Sequence, residues 1–245
     1  MALINIGFFS EALGMCVDCN VFLPQSRADA PLGKRKVLYL LHGASGGNSD
    51  WIRYTNVERY AARHNLALVM PAAHMSSYTD MEHGGKFFTY IADELPAKMR
   101  HFFPLSEKRE DNYIAGLSMG GVGALKIGLA RPDKFSAIGC LSAGAYNTAP
   151  DVQSMWHLRY GEHNLEGTEE DIYGNLRRIA AEGAPAPRIF HAIGTEDFLL
   201  PCARETRDVI ASIPGDPFRY TYIEAPGAHK WEFWDEHIRE FISWL

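Results

Sequence analysis

Ser118 lies in Gly116-Leu117-Ser118-Met119-Gly120-Gly121, between the apolar run Tyr113-Ile114-Ala115 and the helix-forming stretch Gly123 to Ala130. A serine on so tight a strand-to-helix turn is held in a strained backbone conformation that pushes Oγ outward, and only glycine-sized neighbours at positions 116 and 120 let the flanking chains pass. Such a serine is a candidate nucleophile. In a chain with 22 glycines the five-residue pattern also arises by chance, so its flanks and partners decide.

A helix opening at Met119 presents unpaired backbone N–H groups and the positive end of its dipole to any oxyanion formed beside Ser118. The Met119 N–H is therefore one candidate oxyanion donor. The second is expected from the loop after an earlier strand, and Lys36–Leu41 running into His42-Gly43-Ala44-Ser45-Gly46-Gly47 has that form, with the Ala44 N–H as the choice. His42 is expected to brace this loop by hydrogen bonding rather than to take a proton, because a better placed base follows.

That base is His229, in Gly227-Ala228-His229-Lys230-Trp231, a turn between an alternating strand and the closing helix. An acid that orients it should end the preceding strand, Arg188 to Gly194, where Glu196 and Asp197 stand side by side. Successive residues of a strand project to opposite sides, so only one of the two can serve.

The elements that must hold these groups are legible as periodic segments. Strands are expected at 3–10, 15–23, 36–41, 66–70, 112–117, 135–142, 188–194 and 218–224, and helices near 57–64, 88–102, 119–130, 203–213 and 231–245. An antiparallel start followed by β-α alternation gives an α/β fold with a mostly parallel central sheet of about eight strands flanked by helices. Pro96 is expected to kink or break its helix. No repeat or Pro/Ser-rich linker divides the chain, so residues 1–245 are expected to form one domain. The stretch 143–187, with helix signals at 153–160 and 169–182, reads as a small cap insertion leaving a strand end and overhanging Ser118. Trp156 and Tyr160 within it, and Phe198 and Trp231 beside Asp197 and His229, are candidate substrate contacts; for Trp156 and Tyr160 simple packing of the cap is an equal reading.

Taken in order, Phe9 to Met15, Leu40-Leu41-His42-Gly43 with Trp51 beyond, Phe88 to Pro96, Gly116 to Gly121, Gly194-Thr195-Glu196-Asp197-Phe198-Leu199 and the His229-Trp231 turn resemble the esterase D-like group of α/β-hydrolases. The likeness is to tributyrin esterases and feruloyl or acetyl esterases related to S-formylglutathione hydrolase, and it spans nearly the whole chain. The order Ser, then Asp or Glu, then His is that of the α/β-hydrolase fold. The resemblance implies a serine carboxylesterase acting on short-chain aliphatic, acetyl or hydroxycinnamoyl esters through an acyl-serine intermediate. It places the acid role on Asp197, needs no cofactor, and implies small-molecule ester substrates, acylated carbohydrates among them; related proteins often self-associate. Alternatives are a thioesterase of the S-formylglutathione hydrolase type, an acyltransferase, and a silent binding protein on the same scaffold.

Composition agrees with these expectations. The 245 residues suffice for a large core without disulfides, and a net charge of −6 argues against a nucleic-acid partner, leaving Lys34-Arg35-Lys36 as a solvated loop. With no basic, apolar leader and no run of membrane-spanning length, the expected location is cytoplasmic and no membrane partner is expected. Of four cysteines, Cys16 and Cys19 have C-x-x-C spacing but fall on an alternating strand where their sulfurs face opposite sides. No metal site is expected.

Overall fold

A computed structural model describes residues 1–25, 33–145, 159–161, 165–183 and 185–245. One sheet of eight strands runs through it in the order β1-β2-β4-β3-β5-β6-β7-β8. The strands are β1 (Ala2–Ser10), β2 (Met15–Leu23), β3 (Val37–Leu41), β4 (Ala67–Pro71), β5 (Asn112–Leu117), β6 (Ala137–Leu141), β7 (Arg188–Gly194) and β8 (Thr221–Ala225). The hairpin β1-β2 joins the rest antiparallel, and every pairing from β4 to β8 is parallel. Parallel strands buried on both faces read as continuous apolar runs, and β3, β4, β5 and β6 are buried at every position.

Helices cover both faces. α1 (Asp50–Tyr54), α2 (Val57–Arg63) and α8 (Trp231–Trp244) lie on one; α3 (Phe87–Thr89), α4 (Leu95–Phe102), α5 (Met119–Ala130) and α6 (Ile172–Glu182) lie on the other. α7 (Leu200–Ala211) follows β7. Alternation along β3 divides the core, sending Leu38 and Leu40 to the face of Trp51 and Trp234, and Val37, Tyr39 and Leu41 to the face of Phe88 and Leu125.

The mostly parallel eight-stranded expectation holds, with ends shifted where local chemistry overrides pattern. α7 begins three residues before the expected start because Pro201 suits a first helical turn. β8 starts later than expected because Arg219 takes a φ of 44°, which breaks the run from Phe218. The short helix α1 carries too few residues to show a period and was not expected. Pro96 does not end its helix: α3 runs through a π-helical turn, Tyr90–Glu94, into α4, and Pro96 sits in the first turn of α4. The Ala92 carbonyl, which an amide at position 96 would have met, instead accepts from Lys134 Nζ at 3.3 Å.

The part of the insertion described in the structure packs on the helix that follows Ser118. Lys126 of α5, almost fully buried, donates to Glu170 Oε2 at 2.8 Å, to the Tyr160 hydroxyl at 3.3 Å and to the Ser77 carbonyl at 3.2 Å. Tyr160 therefore anchors the insertion to the body. This contact accords with its packing reading. Trp156 lies outside the described residues, as does most of the helix signal at 153–160.

Candidate active site

Ser118 follows the last residue of β5 and caps α5, with φ 54° and ψ −121°. An L-residue pays strain for that conformation, and the structure holds it in place from both sides. The Ser118 N–H donates to Leu141 O of β6 at 2.9 Å, and its carbonyl accepts from the amides of Gly121 and Val122. A Cβ on Gly116 would lie 2.3 Å from Gly120 O, and one on Gly120 would lie 2.5 Å from Leu41 O. The two glycines flanking Leu117-Ser118-Met119 are thus required by contact with backbone, as the sequence pattern implies. The Ser118 side chain is half-buried and makes no hydrogen bond to another described residue.

The loop after β3 packs directly on this turn. A side chain on Gly43 would meet Leu117 Cδ1 at 2.5 Å and Ser118 Cβ at 3.6 Å, so glycine lets this loop approach the serine closely, and the next residue, Ala44, is exposed. His42 is buried, and both its nitrogens are engaged: Nε2 accepts from the Ala73 N–H at 2.9 Å, so Nδ1 carries the proton and donates to Gly43 O at 2.7 Å. Burial holds its pKa below the ordinary histidine value, and the imidazole is a neutral brace, as expected for this position. The Tyr78 hydroxyl on His42 O and Trp51 Nε1 on Leu41 O fix the same segment. Beyond it, the Ser45 N–H donates to Met75 Sδ at 3.0 Å, and Arg159 holds the Met75 carbonyl.

At the far side of the same sheet end, His229 Nδ1 stands 2.8 Å from Asp197 Oδ2 and 3.0 Å from Oδ1. The Asp197 side chain is wholly buried, while that of His229 is 19% exposed. Burial works against the Asp197 charge, but the hydrogen bonds from His229 and the Leu199 N–H, helped by the dipole of the nearby Ser142 hydroxyl, outweigh it and hold the pKa below the ordinary carboxylate value. An ionised carboxylate only accepts, so His229 donates from Nδ1 and keeps Nε2 as a lone-pair nitrogen. Glu196 is exposed, and its amide donates to Gly227 O at 2.8 Å. The two loops touch because β7 ends in glycine: a Cβ on Gly194 would lie 2.2 Å from Gly227 O.

Aromatic rings surround His229. Phe198, 73% exposed, lies against the imidazole with centroids 4.6 Å apart, and the buried Trp234 meets it edge-on at 5.0 Å. Trp231 sits one ring further out, perpendicular to Trp234 and Trp51 and stacked on the exposed Tyr54 at 4.9 Å. Sequence reasoning named Phe198 and Trp231 by adjacency and missed Trp234 and Tyr54. Trp234 was findable as the residue one helical turn after Trp231 on the same face of α8.

Thus Ser118, Asp197 and His229 follow β5, β7 and β8 at the carboxyl ends of parallel strands, where ligands of such sheets bind. The Esterase family model matches residues 10–244. The chain belongs to the Esterase family. Over its full length it is 30% identical to the acetyl esterase of Caldicellulosiruptor saccharolyticus, 98% of which is covered. Substrate-bound FphF, a fluorophosphonate-binding serine hydrolase of Staphylococcus aureus, superposes with a TM-score of 0.90 and 33% identity, covering 99% of this chain and 97% of FphF. The S-formylglutathione hydrolase FrmB of Staphylococcus aureus gives 0.86 and 33%, covering 99% and 98%. This esterase therefore has the α/β-hydrolase fold and is a serine ester hydrolase acting on small-molecule esters. No helix among its described residues is long and apolar enough to cross a membrane, and none of those residues form a His/Cys/Asp/Glu group able to hold a metal. Cys16 is exposed and Cys19 buried, so the two sulfurs do occupy opposite sides of β2.

Proposed function

We propose that this esterase hydrolyses short acyl esters, acetyl esters foremost, with Ser118 as nucleophile, His229 as general base and acid, and Asp197 as the group that orients and charge-stabilises the imidazole. The observation that carries the reading is the strained Ser118 turn, which shares one sheet end with a buried, ionised Asp197 bonded to His229 Nδ1.

In the proposed cycle His229 Nε2 removes the Ser118 proton as Oγ attacks the ester carbonyl carbon. The carbonyl π pair moves onto oxygen, and the amides of Ala44 and Met119 receive the oxyanion. Collapse breaks the bond to the alcohol oxygen, which takes the proton from Nε2 and leaves. Water then attacks the acyl-serine, again giving its proton to His229. The second collapse returns that proton to Ser118 and releases the carboxylic acid. Phe198 and Trp231 are assigned to the substrate side of His229, where their rings exclude water and offer an apolar surface to the ester.

The acetyl esterase relative supports the acyl group, and acylated carbohydrate is a substrate of the same chemistry. The FrmB likeness supports a second reading with the same residues and a thiolate leaving group. A panel of p-nitrophenyl esters of rising acyl length, run beside acetylated xylan, methyl ferulate and S-formylglutathione, separates them. The proposal expects the highest kcat/KM on acetyl or short aliphatic esters; a dominant rate on the thioester transfers the assignment to the second reading.

A further inference from the structure

Ser142 directly follows β6, between the two halves of the site. Its N–H donates to Ala192 O of β7 at 2.8 Å, while the carbonyl of the preceding Leu141 holds the Ser118 amide. Its backbone has φ 49°, the left-handed region that glycine occupies without penalty and serine does not. It is completely buried, and its Oγ has no hydrogen-bond partner among the described residues. A buried hydroxyl without a partner is destabilising, and so is the backbone strain. Two separate penalties at one position call for a compensating role.

The neighbouring acceptor is Asp197. Its carboxylate, fully shielded from solvent, accepts from His229 Nδ1 and from the Leu199 N–H at 2.9 Å. Two carboxylate oxygens offer about four acceptor positions, so capacity remains. The Ser142 hydroxyl stands close enough to help hold the Asp197 pKa down, yet is not aligned as a hydrogen bond. Rotation about the Ser142 Cα–Cβ bond would satisfy an orphaned donor and an under-satisfied charge together.

We propose that Ser142 is a positioning residue whose hydroxyl donates to the Asp197 carboxylate in the working enzyme and fixes that carboxylate toward His229 Nδ1. The inference rests on the reading of Asp197 and His229 as the pair that activates Ser118. It adds a fourth side chain to the relay, one that touches neither substrate nor the reacting atoms. Because an O–H to carboxylate bond favours the charged form, its loss makes Asp197 easier to protonate.

Ser142→Gly is the decisive variant, because glycine relieves the left-handed strain while deleting only the hydroxymethyl group. The expected result is a kcat lowered about tenfold, the loss of one charge-assisted hydrogen bond in the transition state, with KM unchanged and Tm unchanged or raised. The acid limb of kcat/KM against pH should move to higher pH, and Ser142→Ala should show the same kinetic changes with a lower Tm. Wild-type kcat and pH profile in Ser142→Gly would overturn the proposal. So would a kcat loss with an unmoved profile and a fallen Tm, which marks a purely structural serine. Ser118→Ala in the same assay keeps the two readings apart: retained turnover there defeats the underlying assignment, whereas an inactive Ser118→Ala beside a fully active Ser142→Gly defeats only this one.

Discussion

Asp197, not its neighbour Glu196, meets His229: the fully buried Asp197 carboxylate places Oδ2 2.8 Å from Nδ1 of the partly exposed imidazole, while Glu196 faces solvent one residue earlier. Adjacent positions at a strand end point to opposite sides, so one carboxylate is committed to the imidazole and the other is not. Asp197→Asn should lower kcat by up to about 10⁴-fold, since the amide favours the wrong imidazole tautomer and removes the charge that stabilises the imidazolium. Glu196→Gln should stay within a few-fold of wild type. Steady-state kinetics on p-nitrophenyl acetate check the ordering, and the reverse order would move the acid role to Glu196.

Gly120→Ala should abolish activity by deforming the turn. The added methyl would sit 2.5 Å from Leu41 O and 2.6 Å from His42 O, both backbone atoms of the loop that carries Ala44. Such overpacking costs about 1–3 kcal/mol or displaces the loop. Thermal unfolding together with turnover separates the two effects, and an unperturbed, fully active variant would contradict the close approach.

The buried Lys126–Glu170 pair should be worth keeping whole or removing whole. Lys126 keeps its charge: burial opposes it, but Tyr160 and Glu170 more than offset that cost and raise its pKa. Lys126→Met alone leaves a carboxylate with its main counter-charge gone and should destabilise the fold by about 3 kcal/mol, whereas the double change Lys126→Met with Glu170→Leu should recover much of it. Denaturant melts of the three variants test this.

Acid stability should depend on His191. Burial depresses its pKa to about 4, and the neutral ring donates from Nε2 to Ala143 O and accepts at Nδ1 from the Tyr220 hydroxyl. The unfolded chain binds that proton at an ordinary histidine value of about 6.5, so stability is whole above that pH and falls as pH drops from there toward about 4. The whole window is worth about 3 kcal/mol. In His191→Gln the slope of unfolding free energy against pH over this window should flatten, even though the variant starts less stable. An unchanged slope would show that another group governs it.

How much of this was legible in the sequence follows from how local each constraint is. The Ser118 turn needs glycine at 116 and 120 for steric reasons contained within a few residues, so its pattern was readable. His229 and the Glu196-Asp197 pair were placed by strand ends, and only the resemblance chose between the carboxylates. The structure supplies the physical reason for that choice through the Gly194 to Gly227 approach. Contacts across the sheet left no such trace: Ser142 beside Asp197, Trp234 against His229 and Lys126 under Glu170 join residues far apart in the chain. Pro96 does not break its helix, for the opposite reason: a rule that holds for a regular helix is met by a π-helical turn and a lysine from another element.

The central claim is that Ser118 is the nucleophile activated by His229, and covalent capture tests it most directly. Intact-mass and peptide mapping after treatment with a fluorophosphonate should show one adduct per chain, on Ser118, formed in step with loss of esterase activity. Labelling should vanish in Ser118→Ala and slow by orders of magnitude in His229→Ala. An adduct on another residue, or full inactivation with Ser118 unmodified, would contradict the account.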